Sequence, residues 1–595
     1  MRSRIWLGAL LALLVAALVL PAAAVAHGKN KPADTVFKNG YIYTVNPGAR
    51  VANAVAVKDG RIVYVGSNQG ARAFVGAHTK VVKLGGKMML PGFIDSHIHA
   101  SMTVSGLYSV LLYGMTSVDE YVAAVAQFAD DNPDMDVIRG EGWSNTVVPG
   151  KGPLASSLDA VVSDRPVVIM SEDYHSTWVN TKALELAGIT GATPDPEDGV
   201  IERIDGTQAA DPPYGTPSGT LRETAGNLVT DLLPDYTVQQ YKDGVAYFQQ
   251  EIAAPLGITT VFDPLMHVGG HGAQALEEMA SAGDLTVRFR AALALDPADE
   301  LATWMPAARA ERAKHTHDMF KTPAVKIFAD GVVEGHTAYL NEPYADALEY
   351  KGDASFRGVP IWQPDVLNRT FARLDKAGFQ IHTHAIGDAA TTETLDALAH
   401  ARKANGRRDW RPGITHIQLV APEDFARFAR LGVTAVPQPY WFVKDDYYTY
   451  LQLPYLGLPR ADEEYPMKSF FDAGVTVASA SDYPVTIPPD PLAGIAVGVN
   501  RWAPDLVYEY PEPPSLEGVL WPEERVSVQR MIRSFTIEGA KANFLEKRIG
   551  TIKVGKRADL VVLDKNLLKV KDKTELFGVH VLFTMGSGEV LYDKL

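Results

Sequence analysis

Between Gly92 and Ala480, short apolar runs alternate with helix-like segments, and this alternation limits the folds open to the chain more than any other feature. The candidate strands are Gly92–Ile98, Val167–Met170, Thr259–Phe262, Val325–Phe328, Gln380–His384, Ile414–Gln418, Val433–Val436 and Val475–Ala480. A helix is expected over Pro422–Leu431, because Pro422-Glu423-Asp424 suits the positive end of a helix. Strand and helix in turn over such a length predict an α/β chain, and a (β/α)₈ barrel is the leading architecture. Residues 101 to 234 or so are too many for one crossover and predict an insertion after the first barrel strand. The Pro-rich pieces Asp211–Pro217 and Tyr510–Pro514 read as loops.

The two ends have another texture. From Asp34 to Leu84 the chain reads as short strands with hairpin signals at Asn39-Gly40 and Asp59-Gly60. Ala558–Leu563 and Val579–Phe583 return to it. One small sheet domain built from both ends is predicted, with residues 34–90 and 541–595 as its halves and 91–540 as the barrel. Ahead of it, Arg2 and Arg4 precede an apolar run from Ile5 to Leu20, followed by Pro21 and Ala24-Val25-Ala26. This is the pattern of a signal peptide over residues 1–26, followed by a linker over 27–33. The run falls short of the roughly 20 residues of a spanning helix. Export to the periplasm or the outside is expected, with no stable membrane span after cleavage.

Composition removes whole classes of chemistry. The chain has no cysteine, so disulfides, thiolate metal sites and cysteine nucleophiles are excluded, and any metal must be held by nitrogen and oxygen. A formal net charge of −15 disfavours nucleic acid as a partner. A small-molecule substrate is expected, and a homo-oligomer is open.

Several motifs carry donor atoms at strand ends. In Leu90-Pro91-Gly92-Phe93-Ile94-Asp95-Ser96-His97-Ile98-His99, residues two apart on a strand share a face, so His97 and His99 project together. They read either as two ligands of one ion or as two hydrogen-bonded histidines. In Ile381–Asp388, His384 lies nearer the C-terminal strand end than His382 and is favoured as a ligand, with His382 as a neighbour. His416 follows on the next strand. Ala478 and Ala480 share a face with Asp482, which leaves room for an ion beneath its carboxylate. Lys326 reads as a strand-end residue paired with Asp330, or as a lysine carboxylated by carbon dioxide.

Taken in order, LPGFIDSHIH (90–99), DRPVVIMSEDYHSTWVNTKAL (164–184), PSGTLRE (217–223), VKIFADGVVEGHTAYLNEPY (325–344), HAIGD (384–388), THIQLVAPEDFARF (415–428), SDYPV (481–485) and GTIKVGKRADLVVLD (550–564) resemble the YtcJ-like branch of the amidohydrolase superfamily. The resemblance covers nearly the whole chain after the leader. It implies a metal-dependent hydrolase with a (β/α)₈ barrel and a composite β-sandwich. The matching positions make His97, His99, Lys326, His384, His416 and Asp482 the metal ligands. One or two divalent ions are implied, zinc foremost, with carboxylated Lys326 as a bridge.

The implied reaction is hydrolysis of a non-peptide C–N bond of a small molecule by metal-activated water, with Asp482 as general base and then acid. An esterase- or lactonase-type hydrolase and a non-catalytic binding protein are the alternatives on the same scaffold. Candidate substrate contacts are Trp143, Asp173, His175, His336 and Gln438. Trp441, Tyr447, Tyr448 and Tyr450 read as a pocket wall or as ordinary loop packing.

Overall fold

The structure is a computed structural model that describes residues 31–48, 50–196, 199–205, 212–504 and 518–595. The leader, and the linker up to residue 30, lie outside the described residues. At its centre, eight parallel strands run in chain order: β1 Phe93–Asp95, β2 Ile258–Met266, β3 Arg288–Ala294, β4 Phe320–Phe328, β5 Gln380–Ala385, β6 Gly413–His416, β7 Thr434–Val436 and β8 Thr476–Val477. Each pairs with its sequence neighbour. The two outer strands meet just beyond their ends, where Ser96 N–H donates to Ser479 O at 3.2 Å and Asp482 N–H to His97 O at 2.8 Å.

Helices in the connections present one apolar stripe to this sheet. In Pro364–Lys376, Leu367, Phe371 and Leu374 are buried at helical spacing, and Pro364 occupies the first turn, where its missing N–H costs nothing. The helix expected after β6 runs over Asp424–Leu431 and ends at Gly432, whose φ of +71° a side chain would oppose. Among the described residues, no helix is long and apolar enough to cross a membrane.

Two strand assignments are corrected. Val167–Ser171 lies outside the barrel, in a six-stranded sheet with Val110–Leu111, Ile138–Trp143, Ser176–Val179, Gly199–Arg203 and Pro217–Glu223. Buried on both faces and parallel to Ile138–Trp143, it carries the same unbroken apolar run as a barrel strand. The barrel's third strand is β3, which the sequence hides because Arg288 and Arg290 interrupt its apolar residues. Both arginines are buried with partners: Arg288 donates to Thr260 Oγ1 at 3.0 Å and Asp559 Oδ2 at 3.1 Å, Arg290 to the carbonyls of Phe289 and Asp318.

At the chain ends, Tyr41–Tyr43, Val51–Ala52 and Met88–Pro91 join Leu560–Leu563, Val581–Gly586 and Glu589–Asp593 in one six-stranded sheet. A second sheet of four strands comes from the N-terminal region alone. Phe37, Val55 and Ile62 of the second share an apolar cluster with Met89, Leu560 and Phe583 of the first. Gly92 carries the chain from this unit into β1, where a Cβ would stand 2.4 Å from Thr259 Oγ1.

Candidate metal centre and substrate cavity

The C-terminal ends of the barrel strands turn into loops whose backbone is tied together before any side chain converges. Asp95, fully buried, accepts from the N–H of His97 at 3.2 Å and of Ser481 at 3.1 Å, so one carboxylate pins the first and last loops. Burial pushes its pKa up to about 7. β1 ends at Asp95, so His97 and His99 converge through this loop and not through strand alternation. Asp482 likewise sits at φ +61° and His416 at φ +71°, left-handed conformations that L residues adopt only under constraint. Ala478, Ala480 and Asp482 therefore do not share a strand face, because β8 stops at Val477.

The side chains nevertheless meet. Asp482 Oδ1 lies 3.2 Å from both His97 Nε2 and His99 Nε2, and its Oδ2 is 3.8 Å from His416 Nδ1. Donor atoms of His97, His416 and Asp482 all fall within 4.8 Å of one another. His384 packs its ring on His416 at 4.5 Å between centroids. Its Nε2 is 3.0 Å from Gly331 O. Lys326 is buried, with its ammonium 4.5 Å from the centre of the Phe328 ring.

Among the described residues there is no ion pair between Lys326 and Asp330. Asp330 instead accepts from the backbone N–H groups of Tyr339, Ile386 and Gly387. Desolvation lowers the Lys326 pKa to about 7, only partly opposed by Asp482. Burial, reinforced by the Lys326 charge, lowers His97 to about 3, and burial also holds His384 and His416 well below the ordinary imidazole value. Burial would raise Asp482, but the facing His97 and the contacts with His97 and His99 hold it well below the usual carboxylate range.

Four atoms in this cluster are buried without a hydrogen-bond partner: His97 Nε2, His99 Nδ1, His416 Nδ1 and Asp482 Oδ1. An orphaned buried polar atom costs about 1–3 kcal/mol. Neutral imidazole nitrogens and a carboxylate facing one another are the donor set that a divalent first-row ion accepts.

Above the cluster opens a cavity of about 1470 Å³. Leu265, Leu295, Phe328, Val359, Ile361 and Trp362 make one wall apolar. The inserted sheet forms a polar roof. There Glu141 accepts from Ser105 and Tyr174, Asp173 from Asn145, Ser171 and the His175 N–H, and Glu223 pairs with His175 at 2.9 Å while accepting from Thr337. Burial alone would hold His175 neutral, but Glu223 beside it raises the imidazole pKa to about 9.

The sequence profile described as the amidohydrolase family matches residues 80–592. This chain belongs to the amidohydrolase family. Among its relatives is the putative amidohydrolase YtcJ of Bacillus subtilis, 29% identical over 94% of this chain and 99% of that protein. The N-substituted formamide deformylase of Arthrobacter pascens is 26% identical over 94% of this chain and 98% of its own length. A crystal structure of an uncharacterized metal-dependent hydrolase from Pyrococcus furiosus superposes with a TM-score of 0.65 at 25% identity, over 90% of this chain and all of that one. The family is one of metal-dependent hydrolases acting on small molecules.

In this amidohydrolase His97, His99, Lys326, His384, His416 and Asp482 all line the one cavity, as do Asp173 and His175. Trp143, His336 and Gln438 do not. Trp143 faces the core of the inserted sheet and donates to Ile169 O. His336 stacks on Tyr350 at 3.8 Å and meets Asp346 at 2.9 Å, behind the wall. Gln438 is buried beneath β6 and donates to Thr415. Of the aromatic residues, Trp441 lies parallel to His416 at 5.7 Å and Tyr447 donates to Glu172. Tyr448 turns to Asp462 and Tyr450 is exposed. Not among the candidate residues were Asp95 and Glu223, which lie within the motifs 90–99 and 217–223, and Glu141, which lies outside all of them. For Asp95 the available signal was an acid that follows directly on the apolar pair Phe93-Ile94; Glu141 and Glu223 stand in mixed strands, IRGEGW and PSGTLRE, that give none.

Proposed function

We propose that the protein hydrolyses an amide-type, non-peptide C–N bond of a small molecule, with Asp482 as the proton-transferring residue. The observation that carries this reading is the meeting of His97, His99 and His416 with Asp482 at the floor of the cavity, where His97 Nε2, His416 Nδ1 and Asp482 Oδ1 have no hydrogen-bond partner. His97, His99, His416 and Asp482 would hold one divalent ion, zinc by donor chemistry, and His384 with Lys326 would serve a second. Such an ion supplies Lewis acidity, making water more acidic and the carbonyl carbon more electrophilic.

Asp482, kept ionised, accepts a proton as water oxygen bonds to the carbonyl carbon. When the C–N bond breaks, the same proton passes to the departing nitrogen, leaving an acid and an amine. Lys326 with a pKa near 7 carries a substantial fraction of free amine, the form that reacts with carbon dioxide to give a carbamate and a proton. The choice of an amide-type bond is supported by the deformylase relative.

Metal analysis followed by turnover assays on N-substituted formamides, other amides and esters tests the reading. His97→Ala is expected to lose metal and activity together. Metal-replete protein that turns over esters but no amide would reject the C–N assignment. We also propose export, on the strength of Arg2, Arg4, the apolar run Ile5–Leu20 and Ala24-Val25-Ala26. Mass spectrometry of natively produced protein should find His27 at or near the N-terminus, and a cytoplasmic chain retaining Met1 would refute it.

A further inference from the structure

His382 has no place in the cavity wall, yet it touches the metal-site candidate His97 more closely than any other side chain does. His97 Nδ1 and His382 Nε2 are 2.7 Å apart, and both residues are buried. We propose that His382 is a positioning residue, which accepts the His97 Nδ1 proton and so holds His97 in the tautomer that can offer Nε2 to a divalent ion. The proposal rests on the metal-centre reading above and adds the residue that makes one of its ligands competent.

A neutral imidazole carries one proton. With that proton on His97 Nδ1, it is donated to His382 Nε2, and the His97 Nε2 lone pair faces the cluster. In the reverse arrangement His382 Nε2 donates, and the His97 proton must sit on Nε2. There it would point among the donors of the cluster. Nε2 lies 3.2 Å from Asp482 Oδ1, so the reverse arrangement puts a proton between the imidazole and the carboxylate and leaves no lone pair for the ion. A ligating histidine whose other nitrogen is held by a neighbour is a recurrent way to fix tautomer and ring orientation.

The surroundings of His382 hold it to this task. Its ring rests on Phe262, 4.7 Å between centroids. On β5 it pairs in register with Gly413 of β6, and a Cβ at 413 would stand 2.9 Å from His382 Nδ1. The absent side chain at 413 is thus what leaves room for the ring.

The test compares His382→Phe, which keeps a flat ring and removes the acceptor, with His382→Gln, whose amide oxygen can replace Nε2. Zinc affinity is measured by chelator competition, the visible spectrum is recorded with cobalt in place of zinc, and melting is followed in metal-free protein. Phe should weaken zinc binding by about 10–100-fold and alter the cobalt spectrum, while Gln stays within about threefold of the parent. Metal-free melting should be similar for all three. Gly413→Ala, which crowds the ring directly, should weaken zinc binding in the same direction and serves if the Phe variant does not fold. Parental zinc affinity in folded His382→Phe or Gly413→Ala overturns the proposal, as does a Gln variant as impaired as Phe. Undiminished zinc binding by His97→Ala would instead show that the metal-centre reading itself is wrong.

Discussion

The floor and the roof of the cavity are built on opposite principles. On the roof, Glu141, Asp173 and Glu223 are buried or half-buried acids whose oxygens are taken up by hydroxyls, an amide and an imidazole of the same chain. That network is made within the chain itself. On the floor, His97 Nε2, His416 Nδ1 and Asp482 Oδ1 face one another unpaired, and Lys326 is buried with no carboxylate within ion-pair reach among the described residues. A complete polar network stabilises the fold and fixes shape; an incomplete one costs stability that only a bound partner returns. Floor substitutions should therefore cost chemistry, and roof substitutions should cost stability.

The largest effect is expected at Asp482. Asp482→Asn removes the proton acceptor and should lower kcat by about 10²–10⁴-fold on any amide that the protein turns over. A loss under tenfold would move the proton transfer to another group.

Lys326→Met comes next and tests the cost of the floor. In metal-free protein at pH 7 the change should raise stability by about 1–4 kcal/mol, because a poorly solvated cation gives way to an apolar side chain. Lys326 has a folded pKa of about 7 against an ordinary value of 10.5, so the unfolded chain binds the extra proton between these values. The parent therefore gains stability as pH rises through that window, and the advantage of Met should shrink. Urea denaturation at pH 7 and pH 9.5 in chelator reads both. Destabilisation by Met at pH 7 would mean that the floor supports the fold as the roof does.

The roof should show the opposite slope and a smaller effect. His175 titrates at about 9 in the fold against an ordinary 6.5, so its pairing with Glu223 contributes fully below 6.5 and is lost as pH rises through about 9. Glu223→Gln should cost about 1–3 kcal/mol at pH 6 and clearly less at pH 9.5, measured by the same denaturation. A cost independent of pH would show that Glu223 acts through Thr337 and packing, not through the His175 charge.

The candidate donor residues could be read before the fold was known, because donor chemistry is local. His97, His99, Lys326, His384, His416 and Asp482 stand out as polar residues at the ends of apolar runs, and all six line one cavity. The route by which they converge could not be read. Strand alternation predicts a shared face for His97 with His99 and for Asp482 with Ala478 and Ala480, yet these residues lie beyond the strands, on loops pinned by Asp95, and Asp482 takes a left-handed backbone conformation that periodicity does not describe.

The same limit explains the misplaced strands. An apolar run such as Val167–Met170 shows only that a segment is buried on both faces, and both the barrel sheet and the parallel part of the mixed inserted sheet bury strands in that way. β3 escaped notice because the partners that permit its buried arginines, Thr260 and Asp559, lie 28 and 271 residues from Arg288. By itself, the sequence determined which donor side chains end its apolar runs and the alternation that goes with a parallel sheet. Which acids on the roof are satisfied, which atoms on the floor are left waiting, and which histidine stands behind His97 were decided only in three dimensions. Each depends on groups brought together across hundreds of residues, and no local pattern carries that information.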